Sequence, residues 1–351
     1  MALQEYECPS CGGAMEFDPV SQKLKCPFCD SVFDVKDYVA NHNSNSQGQV
    51  VEDGSDTQQG SEPLYVYSCG SCGGEILATE SLGSMKCPFC SNNVVVKEVF
   101  TGTFKPDCII PFKHTREEAI DNYKKHVKSK KLVPKFFLDQ NHIDEIKAVY
   151  VPFWLFNATV DYDAHYECTK SRTWSDSRYN YHETKYYEVQ RTGSENFENV
   201  PVDGSREMPD DLMESLEPFD FRELVPFNMG YLAGFLANKY NVSVDESKPR
   251  AVARIKSSVP ADFRNTVSGY STVHTLMEHM DFTKESYKYA LYPVYVLNTT
   301  WNGENYLFAM NGQSGKFVGN LPFSMAEAVK RYIPIALILW FVFFVIYYAM
   351  F

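Results

Sequence analysis

Eight cysteines fall in four Cys-x-x-Cys pairs: Cys8 and Cys11, Cys26 and Cys29, Cys69 and Cys72, Cys87 and Cys90. Fourteen residues separate the pairs within each set, and the second set repeats the first at an offset of 61 residues. The flanks repeat too, as Cys-x-x-Cys-Gly-Gly at 8–13 and 69–74 and Lys-Cys-Pro-Phe-Cys at 25–29 and 86–90. A Cys-x-x-Cys turn aims two sulfurs at one point, and two such knuckles close a tetrahedral four-thiolate site. The glycines at 12–13 and 73–74 permit the left-handed backbone such a turn needs.

The spacing therefore predicts two zinc ribbons, each folded around one structural Zn2+. Rubredoxin-type iron satisfies the same all-sulfur geometry. Disulfides need an oxidising compartment, and a thioredoxin-like dithiol stands singly beside a βαβ pattern. Each module is poor in apolar residues, so the metal is expected to supply most of its folding energy, about 10–16 kcal/mol in small zinc-finger peptides. Cys108 and Cys168 belong to no pair and read as packed apolar residues.

Charge narrows what the ribbons can bind. The chain has 33 Lys+Arg against 45 Asp+Glu, a formal net charge of −12. Residues 1–38 carry seven acids against Lys23, Lys25 and Lys36, and residues 64–98 carry three acids against Lys86 and Lys97. Each four-thiolate zinc centre adds a formal −2. Nucleic-acid affinity rests on clustered cations, so protein recognition is favoured over phosphate contact.

Residues 333–351, IPIALILWFVFFVIYYAMF, carry no charge. Nineteen helical residues span about 28 Å, close to the ~30 Å hydrocarbon core of a bilayer. Pro334 is expected in the first helical turn, and Lys330 and Arg331 flank the segment on its N-terminal side. The positive-inside rule then puts the N-terminal bulk in the cytoplasm of a single-pass cell-membrane protein. Met1–Glu7 has no apolar run, so no signal peptide is expected. The Asn-x-Ser/Thr triplets at Asn157, Asn241 and Asn298 are accordingly chance matches.

The expected order is ribbon 1 over 1–40, a flexible polar linker over 41–63 and ribbon 2 over 64–98. An α+β domain with antiparallel sheet follows over 99–331, then the transmembrane helix over 332–351. The linker leaves the ribbons free to move independently. In the α+β domain, Thr115-x-x-Glu118 reads as a capping box. Further helices are expected over 229–240, capped by Asn228, and from Pro249 to Pro260. Residues 159–167 alternate as a half-buried strand, residues 293–310 read as a hairpin turning on Asn302-Gly303, and a strand is expected at 316–319. Pro152-Phe-Trp154-Leu-Phe-Asn157-Ala-Thr159 echoes Pro293-Val-Tyr295-Val-Leu-Asn298-Thr-Thr300, a hint of a duplicated unit. Gly230-x-x-x-Gly234 reads as a site of close helix packing.

No nucleophile elbow, Walker loop, zincin helix or dinucleotide fingerprint is present. His165, His274 and His279 read as ordinary histidines, and the chain is expected not to be an enzyme.

The doubled ribbons resemble the transcription factor IIB-type zinc ribbon. Together with Lys105-Pro-Asp-Cys-Ile-Ile-Pro-Phe112, Val151-Pro-Phe-Trp154, Tyr231-Leu-Ala-Gly-Phe-Leu-Ala237, Asn311-Gly-Gln-Ser-Gly-Lys316 and the apolar tail, the chain resembles bacterial YdjG-type double zinc-ribbon membrane proteins. That resemblance implies a membrane-anchored partner of flotillin-like (SPFH-domain) proteins, linked to phage-shock-type envelope stress. The residues favour a zinc-ribbon adaptor that docks cytoplasmic or membrane proteins; a membrane-tethered nucleic-acid binder is the alternative.

Overall fold

The computed structural model describes residues 6–38, 65–69, 71–78, 85–90, 93–99, 106–138, 143 and 145–350. The linker expected over 41–63 lies outside them. The fold is α+β, and its sheet is organised around two very long strands, β9 (Lys147–Ser175) and β13 (Thr272–Trp301), paired antiparallel. β9 turns back into β10 (Asn180–Asp203), and β13 turns at Asn302-Gly303 into β14 (Glu304–Asn311). Both residues of that second turn have positive φ, 52° and 83°, as a type I′ turn requires. β15 (Phe317–Gly319) extends β14. Val160, Tyr162, Ala164 and Tyr166 point into the core, whereas Asp161, Asp163, His165 and Glu167 point away from it.

The sequence echo is a structural duplication. Equivalent residues of the two echo segments are 141 apart, and the register pairs Val151 with its own counterpart, Tyr292. A local two-fold axis therefore passes between β9 and β13. Two short parallel strands obey it: Leu236–Asn238 (β12) sets Leu236 against Val149, and Cys108–Ile109 (β8) sets Cys108 against Ala290. Each leads to a capped helix. α1 (Arg116–Ser129) starts at Thr115 with the full capping box, and α3 (Val244–Asn265) starts at Ser243, whose side chain accepts from Glu246 N. Equivalent hydrogen bonds repeat closely. Gly204 N donates to Pro152 O at 2.9 Å and Gly312 N to Pro293 O at 2.8 Å. Trp154 Nε1 donates to Val242 O, and Tyr295 Oη to His114 O, both at 2.9 Å. Each short strand and helix packs on the hairpin of the other half, so the two units interlock.

The helices depart from expectation at the prolines and glycines. Over 229–240 there is no α-helix: a 3-10 turn (Met229–Leu232), capped by Asn228, runs through Gly234 at φ 81° into β12. That backbone is left-handed and ends any helix. α3 conversely runs through both Pro249 and Pro260. Its stripe of Ala251, Ile255 and Val259 is buried against the sheet, and that burial outweighs the hydrogen bonds the prolines remove. A short helix, α2 (Asp210–Leu216), lies between the halves.

Both ribbons are docked on this domain, contrary to the expectation that they move freely. In ribbon 1, β1 (Glu16–Asp18), β2 (Lys23–Lys25) and β3 (Val32–Phe33) form a small antiparallel sheet. Phe17 N donates to Ala233 O at 3.0 Å, and the Phe17 ring meets Tyr231 edge-on at 5.2 Å. The Gly230-x-x-x-Gly234 segment is the seat, and its partner is ribbon 1 rather than a helix. A Cβ on Gly230 would lie 2.8 Å from Val35, and one on Gly234 would lie 3.2 Å from Glu16.

Ribbon 2 joins the main sheet outright. Its β4 (Tyr65–Ser68) pairs with β5 (Glu75–Ala78) and β7 (Asn93–Val99), and β5 pairs with β12.

The C-terminal helix α4 (Met325–Met350) starts before the uncharged stretch, so Pro334 stands inside it, not in its first turn. Residues Met325–Tyr348 are long and apolar enough to cross a membrane, and no part of that apolar window is buried against the protein. A core helix of a soluble domain would be covered on at least one face.

Candidate metal centres

In each ribbon the two knuckles bring four sulfurs together. Cys8, Cys11, Cys26 and Cys29 form one group and Cys69, Cys72, Cys87 and Cys90 the other, with all ligand atoms of a group within 4.8 Å of one another. The backbone turns explain the convergence. Cys8 O accepts from Cys11 N and Gly12 N, and Gly12 and Gly73 take φ of 74° and 78°. A tetrahedron with ~2.3 Å zinc–sulfur bonds has edges of about 3.8 Å. Observed Sγ–Sγ separations are 3.5 Å for Cys8–Cys29 and Cys11–Cys26, and 3.4 and 3.7 Å for Cys69–Cys90 and Cys72–Cys87. These distances fit one ion per site and exclude disulfides, whose sulfurs lie ~2.05 Å apart.

The surroundings lower the pKa of Cys29 and Cys69 and raise that of Cys11, Cys72 and Cys87. The Ser31 hydroxyl and N–H beside Cys29 draw its pKa down to about 6. Burial opposes ionisation of Cys69, but the N–H groups of Cys72 and Ser71 bring it down to about 7. Cys72, the more exposed of the two, is pushed up to about 11, chiefly by local desolvation. Metal ligation requires the thiolate, so cation binding at either site is coupled to proton release.

The two sites differ in what lies outside them. The Lys-Cys-Pro-Phe-Cys knuckle of ribbon 2 faces inward: Phe89 is 5% exposed, packs in a cluster with Tyr292 and Met208, and its carbonyl accepts from Asn298 Nδ2. Phe28, at the same place in ribbon 1, is 75% exposed. Sequence identity hid this difference, because the pocket that receives Phe89 is assembled from residues more than a hundred positions away.

The remaining residues singled out from the sequence lie apart from both sites. Cys108 is buried and pushed up to about 11 by that burial, and Cys168 lies under α3 with its pKa also raised. His165 pairs with Glu188 at 3.3 Å and His279 with Asp281 at 2.9 Å; His274 is exposed on β13. Lys330 pairs with Glu327 at 3.1 Å and Arg331 is exposed, both near the start of α4.

A protein of Bacillus subtilis (strain 168) named uncharacterized protein YdjG is 30% identical over 331 residues, covering 94% of each chain. The chain belongs to the YdjG family. No family model matches it, and no solved structure matches it.

Proposed function

We propose that this chain is a non-enzymatic, membrane-anchored adaptor whose two four-cysteine sites hold structural zinc and whose first ribbon docks partner proteins. The observation that carries the reading is the contrast between Phe89 and Phe28. Ribbon 2 spends its knuckle inside the chain, where it completes the main sheet. Ribbon 1 is seated closely on Gly230 and Gly234, yet turns the same knuckle to solvent. An exposed phenylalanine on a metal-stiffened turn, with little rotamer freedom to lose, is a suitable anchor for a protein pocket. The acidic ribbon surface suits a basic rim on that partner.

The tail holds the adaptor in the cell membrane as a single-pass protein, with Lys330 and Arg331 on the cytoplasmic side. Zinc, not iron, is the metal of the reading, since structural four-cysteine sites commonly use it. The family resemblance suggests SPFH-domain and phage-shock-type proteins as partners. Crosslinking and mass spectrometry of the full-length chain in its native membrane tests the reading. Phe28→Ala is expected to remove the main crosslinked protein partner while leaving metal content unchanged. A crosslink pattern unchanged from the parent's in both Phe28→Ala and Cys26→Ser contradicts ribbon-mediated docking.

A further inference from the structure

The strands β9 and β10 run on past the helix that covers them, beyond the start of β13 at Thr272. α3 packs over Val160, Tyr162, Ala164, Tyr166 and Cys168. Strand alternation places Lys170, Arg172 and Trp174 on that same face, now exposed. Their cross-strand partners are Lys185, Glu183 and Tyr181. The uncovered arm is six residues long in β9, Lys170 to Ser175, about 20 Å at ~3.3 Å per residue.

This face is a ladder of rings and cations. Trp174 and Tyr181 stack at 5.4 Å and 13°, the Arg172 guanidinium lies 4.7 Å over Trp174, and Lys170 Nζ lies 5.0 Å over Tyr270. The opposite face carries small hydroxyls, including Ser171 and Thr173. Residues 170–187 hold four cations, Lys170, Arg172, Arg178 and Lys185, against Asp176 and Glu183, inside a chain of net charge −12. Both acids are engaged locally. Asp176 accepts from Arg178 N, Tyr179 N and Tyr181 Oη, and Glu183 pairs with Arg172 and with Lys185.

We infer that the tip of this arm is a second membrane contact, which seats its cations on anionic phospholipid headgroups and its rings at the polar–apolar boundary. The inference rests on the membrane-anchored reading above. Three observations favour a bilayer over a protein or a nucleic acid. Every apolar side chain from 170 to 187 is Trp or Tyr, with no Leu, Ile, Val, Met or Phe, which is interfacial chemistry rather than that of a protein hot spot. The tail, which leaves the domain near the Lys147 end of β9, tethers the whole chain to a bilayer, so a weak lipid contact by the arm at the other end is favoured by local concentration. The acidic body is repelled by anionic lipid and by nucleic acid alike, so the contact must be confined to a small cationic tip, which suits a surface better than a long polyanion.

The test is hydrogen–deuterium exchange of the full-length chain in phosphatidylcholine nanodiscs with and without phosphatidylglycerol. Exchange over 170–187 is expected to slow about threefold or more with the anionic lipid. An Arg172→Gln, Arg178→Gln double variant is expected to lose that slowing, with metal content and α3 exchange unchanged. Equal tip exchange in the two discs, or slowing that persists in the variant, overturns the inference. So does slowing produced by a single-stranded oligonucleotide in phosphatidylcholine discs and absent with phosphatidylglycerol. Loss of the chain from discs of either composition contradicts the anchor itself and takes the inference with it. A retained chain with an unprotected tip contradicts the inference alone.

Discussion

Asp203 holds in the first half of the duplicated domain the place that Asn311 holds in the second. Asp203 Oδ1 accepts Ser205 N at 2.8 Å, and Asn311 Oδ1 accepts Gln313 N at 2.9 Å. Both side chains are buried beside the glycine that closes the strand onto Pro152 or Pro293. Only the first is ionisable, and burial, with Asp210 alongside, pushes its pKa up to about 8.

That difference makes stability depend on pH. Unfolded Asp titrates near ~3.9, so between that value and about 8 the folded chain keeps a proton the unfolded chain has released. The stabilisation is complete below pH ~4 and is lost as pH rises through the folded value. Asp203→Asn copies the other half and removes the dependence. Its stability relative to the parent, from urea unfolding at pH 6 to 8, is expected to grow by up to about 1.4 kcal/mol per pH unit. A difference that does not change with pH would count against a protonated Asp203.

Trp154 and Tyr295 predict a symmetric pair of losses. Each donates to the carbonyl that precedes a helix of the opposite half. Trp154→Phe and Tyr295→Phe each leave that carbonyl without its donor, at a cost of about 1–3 kcal/mol. Denaturant titration of the two single variants checks this; a neutral result for either breaks the proposed equivalence.

Gly230 predicts a selective loosening. A leucine there has no room beside Val35 and Leu24, so ribbon 1 must lift. Exchange over Glu16–Lys25 is expected to accelerate in Gly230→Leu while β5 and β12 keep their protection. Unchanged exchange in ribbon 1 contradicts the docking seat.

The metals are predicted to be unequal in consequence. Cys26→Ser releases a ribbon that sits on the domain. Cys87→Ser removes the support of Phe89 and of strands that belong to the main sheet, and is expected to cost at least about 3 kcal/mol more. Thermal unfolding of the two variants at equal chain concentration decides the order.

Local chemistry was legible in the sequence, and long-range pairing was not. The cysteine spacing, the Thr115–Glu118 box, the Asn302-Gly303 turn and the apolar tail each act over a few residues, and each is where the residues place it. The fate of Gly230-x-x-x-Gly234 depended on ribbon 1, far upstream in the chain, which turned a helix-like pattern into a docking seat. The prolines of α3 misled because the burial of Ile255 and Val259 is settled by strands far away in the chain. β9 and β13 looked short because their outer ends carry exposed side chains on both faces, so no alternation of polarity marks them. The eight-residue echo was the visible trace of the whole duplication, since register and hydrogen bonds, rather than side-chain identity, preserve it.

Elemental analysis of the full-length chain, purified from its membrane fraction, probes the anchor and the metal centres together. Two zinc ions per chain are expected in that fraction, falling to one with Cys26→Ser and to one with Cys87→Ser. Recovery of the chain without bound metal, or in the soluble fraction with Met325–Met350 intact, would refute a zinc-bearing membrane adaptor.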